Sequence, residues 1–296
     1  MTLDSDRAPG PEPRRHFSRR LAWAVALVLG VALAPAHARE GVEVGGNSAF
    51  SRLVPAEQVE RSATQQYAQM LSQANGQDAL APADNAQLKR LRAIAQRIIP
   101  FTAPWNARSR QWRWEVNLIG SSQINAFCMP GGKIAFYSGI LQKLQLTDDE
   151  VAMVMGHEIA HALREHARER MGKSAVTHGA ARIGGALAAL YFGVDPRLTD
   201  SLASGGANLL TLEFSRQDES EADLVGMELA ARAGFDPRAG VSLWRKMGAA
   251  NRSGTPQWLS THPAGTTRIA DIEANLPKVL PLYERARVRA GAAPRP

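Results

Sequence analysis

The chain has 296 residues and carries 35 lysines and arginines against 28 aspartates and glutamates, a formal charge of +7. No arginine-rich tract with interleaved aromatic residues accompanies this excess, so the composition argues against nucleic-acid binding and allows at most a mild attraction to anionic membranes. Cys128 is the single cysteine, which excludes an intramolecular disulfide. Stability must therefore come from a hydrophobic core, for which this length is sufficient.

The N-terminus has the pattern of an export signal. A basic stretch from Arg14 to Arg20 precedes an apolar run from Leu21 to Ala36, and Ala36-His37-Ala38 offers the small residues of a cleavage site. We predict a secretory signal peptide over residues 1–38 and a periplasmic destination. An uncleaved membrane anchor is the alternative, although the run is shorter than the roughly 20 residues of a span. Ser18-Arg19-Arg20 leaves twin-arginine export open beside general export.

The rest of the chain is predicted to hold one folded domain. Residues 39–54 are expected to form a mobile N-terminal segment, residues 55–290 the domain, and residues 291–296 a disordered tail. Apolar residues at helical spacing predict four amphipathic or buried helices. These helices cover residues 55–74, 85–99, 237–247 and 266–276, the last of them stopped by Pro277.

Three extended stretches predict a small β-sheet. Trp112–Ile119 alternates apolar and polar residues with period two, as a strand does. Ile124–Met129 and Lys133–Tyr137 are the other two, joined by a turn at Gly131-Gly132.

One further helix carries the motif on which the predicted function depends. Residues 157–161 have the pattern H-E-x-x-H, and Thr147 begins a capping box ahead of an almost wholly apolar run. Positions i and i+4 lie on the same helix face, so His157 and His161 can bind one zinc ion. Glu158 lies beside them as the base that takes a proton from the attacking water. This helix should be buried, and its polar side chains then need partners.

The segment after this motif is less regular. Residues 164–170 are a charged stretch that we interpret as a continuation of the helix. On a continuous helix His166 would lie about 180° from His157, so we predict a structural role for it and no bond to the same metal. Residues 174–210 are apolar and Gly-rich, but too short to cross a bilayer. They form either two small-residue helices packed on the core, or a mobile flap or membrane-contacting hairpin that controls access to the metal.

A catalytic zinc ion usually has three protein ligands and one open position, so a third ligand is expected downstream. The helix predicted over residues 215–230 contains several acids. Glu219, Ala222, Asp223 and Gly226 share one face of it, where small residues allow another helix to approach. We assign Glu219 as the third ligand. Asp223, one turn further on, is placed to accept the N–H of a ligand histidine and fix its tautomer.

Together these motifs resemble those of the gluzincin peptidases, the group that includes HtpX, the CAAX prenyl proteases, LoiP and BepA. The resemblance implies an α+β, mainly helical zincin-like domain, with a small β-sheet beside the motif helix and one zinc ion per chain. It rests on residues in the family's order, at 125–134, 157–161, 215–223, 233–237, 260–263 and 268.

The resemblance also implies roles for residues outside the two ligand helices. An edge strand beside the motif helix would bind substrate in extended form. His262 would lie near the zinc, where it would either steady the oxyanion or occupy the open metal position in a latent form, and Arg268 is a second candidate for the oxyanion or for substrate carbonyls. The alternatives are an ordinary hairpin strand and a surface His-Pro turn. The proposed substrate edge consists of Ile124, Asn125, Ala126 and Phe127.

We therefore predict a secreted zinc endopeptidase in which Glu158 takes a proton from water and returns it to the leaving amine. By analogy with the family, its substrates are misfolded or misassembled envelope proteins, including outer-membrane proteins. A zinc-stabilised chaperone with latent or no protease activity is the main alternative, and Glu158 argues against it because a structural site needs no base. A CAAX-type prenyl protease is disfavoured because those enzymes have several long apolar spans.

Overall fold

The computed structural model describes the part of the chain that carries these motifs. The predicted signal peptide at 1–38, most of the Gly-rich stretch at 174–210 and the tail after Gly291 lie outside the described residues. Within the described residues we find no helix with both the length and the hydrophobicity of a transmembrane span. The described ranges are 39–183, 209, 212–251, 257–262 and 267–291.

Helices make up most of this part of the chain. They are α1 (Ala56–Gly76), α2 (Ala86–Ile98), α3 (Ser138–Leu144), α4 (Asp148–Leu163), α5 (His166–Ile183), α6 (Arg216–Arg232), α7 (Ala239–Asn251), α8 (Gln257–Thr261) and α9 (Arg268–Arg289). Short 3-10 helices lie at Ala49–Leu53, Ile99–Phe101 and Ala107–Gln111.

The three predicted strands form one small sheet. They are β1 (Glu115–Ile119), β2 (Ala126–Met129) and β3 (Lys133–Tyr137), in the order β1-β3-β2. β1 runs parallel to β3 and β2 antiparallel to it. Gly131 and Gly132 make the β2–β3 turn with positive φ angles of 85° and 78°, which favour glycine. The predicted α+β fold, mainly helical with a small sheet, is confirmed.

Helix α4 lies at the centre of the core. Thr147 and Glu150 form the predicted capping box, and each residue from Glu150 to Leu163 is buried. The helix packs against α6, β2, α2 and α7, so that apolar residues face protein on every side. The expectation of a buried motif helix is confirmed.

Helices α4 and α6 approach closely where two glycines face each other. A Cβ atom on Gly226 would lie 2.5 Å from the backbone nitrogen of His157, and one on Gly156 would lie 2.5 Å from the carbonyl oxygen of Gly226. No side chain fits at such distances, so both glycines are needed for the two ligand helices to meet.

We expect Gly226→Ala to destabilise the protein by about 1–3 kcal/mol, because the added methyl group forces the two backbones apart. Zinc retention should fall too, since the helices that carry the predicted ligands separate. Gly248→Ala in α7 is the matched control: apart from the local backbone of the helix, no described atom lies within 4 Å of the added Cβ, and alanine in a helix interior is favoured over glycine. Thermal unfolding with zinc analysis of both variants checks this, and equal stability would contradict the close approach.

Two helix boundaries differ most from the sequence prediction. Helix α4 does not continue through residues 164–170: it ends at Leu163, Glu165 has a left-handed φ of 59°, and α5 begins at His166. The last helix, α9, does not stop at Pro277 but contains it and Pro281 and extends to Arg289. Buried residues beyond the first proline hold this part of α9 on the core, which outweighs the lost backbone hydrogen bonds; they are Val279, Leu282 and Tyr283.

Of the segment expected to be mobile, residues 39–54, the part from residue 41 onward is docked on the domain. Val42 is buried, and its N–H donates to the Glu228 carboxylate at 2.9 Å. The carbonyl of Gly45 accepts a 2.6 Å bond from Arg164. These contacts hold the segment against α6 and the α4–α5 turn, whereas a mobile segment would lack such contacts.

Candidate metal centre

Four buried side chains converge where α4, α6 and α8 meet. One ligand atom from each of His157, His161, Glu219 and His262 lies within 4.8 Å of all the others. The Nε2 atoms of His157 and His161 are 3.0 Å apart, and the Glu219 carboxylate is 3.6 and 3.4 Å from them. The structure thus brings the three predicted ligands together and adds His262.

The chemistry of this cluster fits a zinc ion. Among the described residues, Glu219 Oε1 and His262 Nε2 are buried and have no hydrogen-bond partner. Burial lowers the pKa of His157 to about 4 and holds those of His161 and His262 well below their usual range. Neutral imidazoles and one carboxylate facing a common point are the donors that zinc prefers. Burial also raises the pKa of Glu219 to about 9, and a divalent cation would reverse that shift.

Asp223 has the position predicted for it, next to a ligand histidine. Its Oδ1 lies 3.0 Å from Nδ1 of His157. Burial would raise the pKa of Asp223, but the Arg268 guanidinium and the bond to His157 hold it at about 2. An ionised Asp223 accepts the Nδ1 proton and leaves Nε2 of His157 available to a metal. We propose this as its role.

Arg268 lies behind the cluster. Its Nε and Nη2 donate to the Asp223 carboxylate, each at 2.6 Å, and its Nη1 donates to Glu219 at 2.6 Å. The guanidinium also stacks 3.6 Å from the ring centre of Trp244. A cavity borders the cluster at Glu158, His161 and His262, and Arg268 is not part of its lining. The position of Arg268 therefore differs from that of the oxyanion donor we expected. We propose that it positions Glu219 and Asp223.

Glu158 is held by a residue that sequence reasoning missed. The indole N–H of Trp258 donates to Glu158 Oε1 at 2.5 Å, and His262 Nε2 lies 3.6 Å from Oε2. Trp258 also stacks on His262 with an interplanar angle of 19°. Burial raises the pKa of Glu158 to about 8, and the Trp258 bond opposes that rise. The one available signal was the spacing of Trp258 and His262, one helical turn apart.

The predicted substrate edge borders the same cavity. β2 pairs with β3, and within the described residues no strand pairs with its other edge. Asn125, Ala126 and Phe127 line the cavity together with Glu158, His161 and His262. Ile124 lies outside this lining, and its carbonyl accepts the backbone N–H of Trp258 at 3.1 Å. A substrate role for this edge stays a prediction.

His166 lies closer to the site than a continuous helix would place it. The turn at Glu165 brings Nδ1 of His166 to 2.9 Å from Nδ1 of His161. His166 is not part of the four-residue cluster, but it contacts a predicted ligand directly.

Comparison with known proteins finds peptidases. Mitochondrial metalloendopeptidase OMA1 of Arabidopsis thaliana is 37% identical over 155 residues, which cover 52% of this chain and 30% of that protein. The OMA1 protein of Saccharomyces cerevisiae is 32% identical over 182 residues, 59% of this chain and 50% of that one. The beta-barrel assembly-enhancing protease of Escherichia coli is 31% identical over 175 residues, 56% and 35% of the two chains. The chain thus spans half or less of the length of these relatives.

A family model matches the part of the chain that builds the cluster. Residues 85–276 match the model of Peptidase family M48, a range that contains the H-E-x-x-H helix, Glu219, Asp223 and His262. The range is more than half of the chain, and the family's zinc fits the donors that converge here. The chain belongs to peptidase family M48, a family of zinc metallopeptidases.

Proposed function

We propose that this protein is an exported zinc metalloendopeptidase that cleaves misfolded or misassembled envelope proteins. The observation that carries the proposal is the convergence of His157, His161 and Glu219 next to Glu158, in a cavity bordered by the edge of β2. A zinc ion held by His157, His161 and Glu219 would supply a Lewis acid to polarise the scissile carbonyl.

The remaining chemistry belongs to the protein. A substrate strand pairs its backbone with the edge of β2, which presents a peptide carbonyl to the cluster. Glu158 takes a proton from the attacking water and returns it to the leaving amine. Burial raises the pKa of Glu158, which favours the step in which it returns the proton to the leaving amine.

His262 occupies a position that a reacting substrate needs. Its Nε2 belongs to the four-atom cluster and lies 3.6 Å from the base Glu158. Of the two roles expected for His262, this geometry favours that of a fourth metal ligand in a latent form. The cleaving form then requires the segment that carries Trp258 and His262 to move out of the site.

His262→Ala is expected to raise the rate of casein cleavage several-fold without changing the zinc content, because the open metal position is no longer occupied. Steady-state kinetics and metal analysis of the purified protein check this. A fall in kcat of about 10²–10³-fold would instead identify His262 as an oxyanion donor.

The substrate class rests on two supports. The predicted export signal directs the chain to the cell envelope, and the E. coli relative is named for the assembly of β-barrels. A zinc-stabilised chaperone or assembly factor without protease activity is the second candidate, and the observation that favours it is His262 within the cluster.

Casein digestion by the purified protein, with and without a zinc chelator, separates the two candidates. Cleavage that stops on chelation and returns with zinc supports the peptidase. A protein that binds zinc but cleaves nothing, also as His262→Ala, supports the chaperone.

A further inference from the structure

The turn between α4 and α5 places a second histidine against a ligand histidine. Leu163 ends α4, Glu165 takes the left-handed conformation, and His166 begins α5. His166 therefore faces back towards the site, with its Nδ1 2.9 Å from Nδ1 of His161 and the two ring centres 4.9 Å apart. Both rings are buried, so water does not compete for this contact.

The ligand role of His161 decides which atom donates in this contact. His161 points its Nε2 at the cluster, 3.4 Å from the Glu219 carboxylate. An imidazole that binds a metal through Nε2 carries its proton on Nδ1. With zinc bound at Nε2, His161 Nδ1–H would donate to Nδ1 of His166, which would then carry its own proton on Nε2.

Nε2 of His166 faces the carboxylate of Glu221, which is in turn held by Arg164. It lies 3.6 Å from Oε2 of Glu221, a charge–dipole contact somewhat longer than a hydrogen bond. Arg164 donates to the same oxygen through Nη2 at 2.9 Å and Nε at 3.1 Å. Arg164 also donates to the carbonyl of Gly45 at 2.6 Å, so the docked N-terminal segment is the far end of this chain of contacts.

The two ligand histidines are thus supported in the same way. Behind His157 lie Asp223 and then Arg268. Behind His161 lie, in order, His166, Glu221 and Arg164. In each case an acceptor fixes the Nδ1 proton and an arginine holds the carboxylate, an arrangement that orients metal ligands and raises their basicity.

We propose that His166 and Glu221 are positioning residues for His161, fixing its ring and tautomer so that Nε2 faces the zinc. The proposal rests on the zinc site proposed above. Loss of an outer partner of a metal ligand typically weakens metal binding by about 10–100-fold, which sets the size of the expected effect.

The test compares two replacements of His166. His166→Leu removes the acceptor and keeps a buried side chain of similar size. His166→Asn keeps an acceptor oxygen near the position of Nδ1. The zinc Kd is measured by competition with a chromophoric chelator, and the visible spectrum of the cobalt-substituted protein reports the ligand geometry. Glu221→Gln, which keeps shape and removes charge, is the third variant.

We expect His166→Leu to weaken zinc binding by about 10–100-fold and to change the cobalt spectrum. His166→Asn should recover most of the affinity and the wild-type spectrum, and Glu221→Gln should give a smaller loss in the same direction. Equal affinities and spectra for wild type and His166→Leu would overturn the proposal, as would equal losses in the Leu and Asn variants.

Two controls keep the test decisive. Thermal unfolding of the metal-free proteins shows whether His166→Leu folds. If it does not fold, zinc binding by His166→Asn and Glu221→Gln is the test. A wild-type zinc affinity in Glu221→Gln then overturns the role of Glu221. Zinc binding by the wild type separates this inference from the proposed function. A wild type without zinc overturns the metallopeptidase itself, whereas a wild type that binds zinc as tightly as His166→Leu overturns only the positioning role.

Discussion

Glu158→Gln is expected to reduce cleavage of casein by about 10²–10⁴-fold, the contribution typical of general acid–base catalysis. Glutamine has the same shape as glutamate and can still accept the Trp258 N–H bond seen at Oε1. It cannot take a proton from water at neutral pH. The protein should therefore fold and bind zinc normally while the chemical step fails.

The measurement is the initial rate of casein digestion, normalised to protein that contains zinc. Glu273→Gln is the matched control, since it makes the same change on the exposed face of α9. It should cleave as the wild type does. Wild-type cleavage by Glu158→Gln would refute the mechanism.

Glu219→Gln is expected to weaken zinc binding by more than the 10–100-fold typical of an outer partner, because it removes a ligand charge from the cluster. The buried carboxyl also carries a pKa of about 9 in the absence of a cation. A neutral amide there suits the metal-free fold, so the metal-free protein should stay stable. Its remaining oxygen can still accept a bond from Arg268.

The shift of Tm on addition of zinc measures this. Zinc at 100 times its Kd stabilises a folded protein by about 2.7 kcal/mol, so the wild-type Tm should rise with zinc. The Tm of Glu219→Gln should not respond at the same concentration, whereas Glu273→Gln should respond as the wild type does. An equal rise in Glu219→Gln would show that Glu219 is not a ligand.

The parts of the site that depend on local spacing could be predicted from the sequence. The capping box follows from the three-residue spacing of Thr147 and Glu150, and the shared face of Glu219 and Asp223 follows from the 3.6-residue period of a helix. The same period predicted that His157 and His161 share a face, and the structure brings all four of these side chains to one place. Glycines at 156 and 226 allow the two helices to meet, and a small-residue face was visible in the sequence of α6.

The parts that depend on contacts between distant segments could not be predicted. The left-handed turn at Glu165 is not marked by glycine or proline, so the sequence favoured a continuous helix and placed His166 on the wrong side. Trp258 reaches Glu158 across 100 positions of the chain. The N-terminal segment docks through backbone groups such as the Val42 N–H, which any residue can offer.

The predicted end of helix α9 was wrong for a related reason. Proline is a reliable stop in an isolated helix, but burial of Val279 and Tyr283 holds α9 beyond Pro277. Helix α3, Ser138–Leu144, directly follows β3 and was also missed. A helix of only one or two turns has too few residues for its apolar positions to show a helical period.

Anomalous X-ray diffraction at the zinc edge from crystals of the protein is the most direct test of the central claim. We predict one strong peak within bonding distance of His157 Nε2, His161 Nε2 and a Glu219 oxygen. A zinc peak elsewhere, or one at the two histidines with Glu219 turned away, would contradict the account.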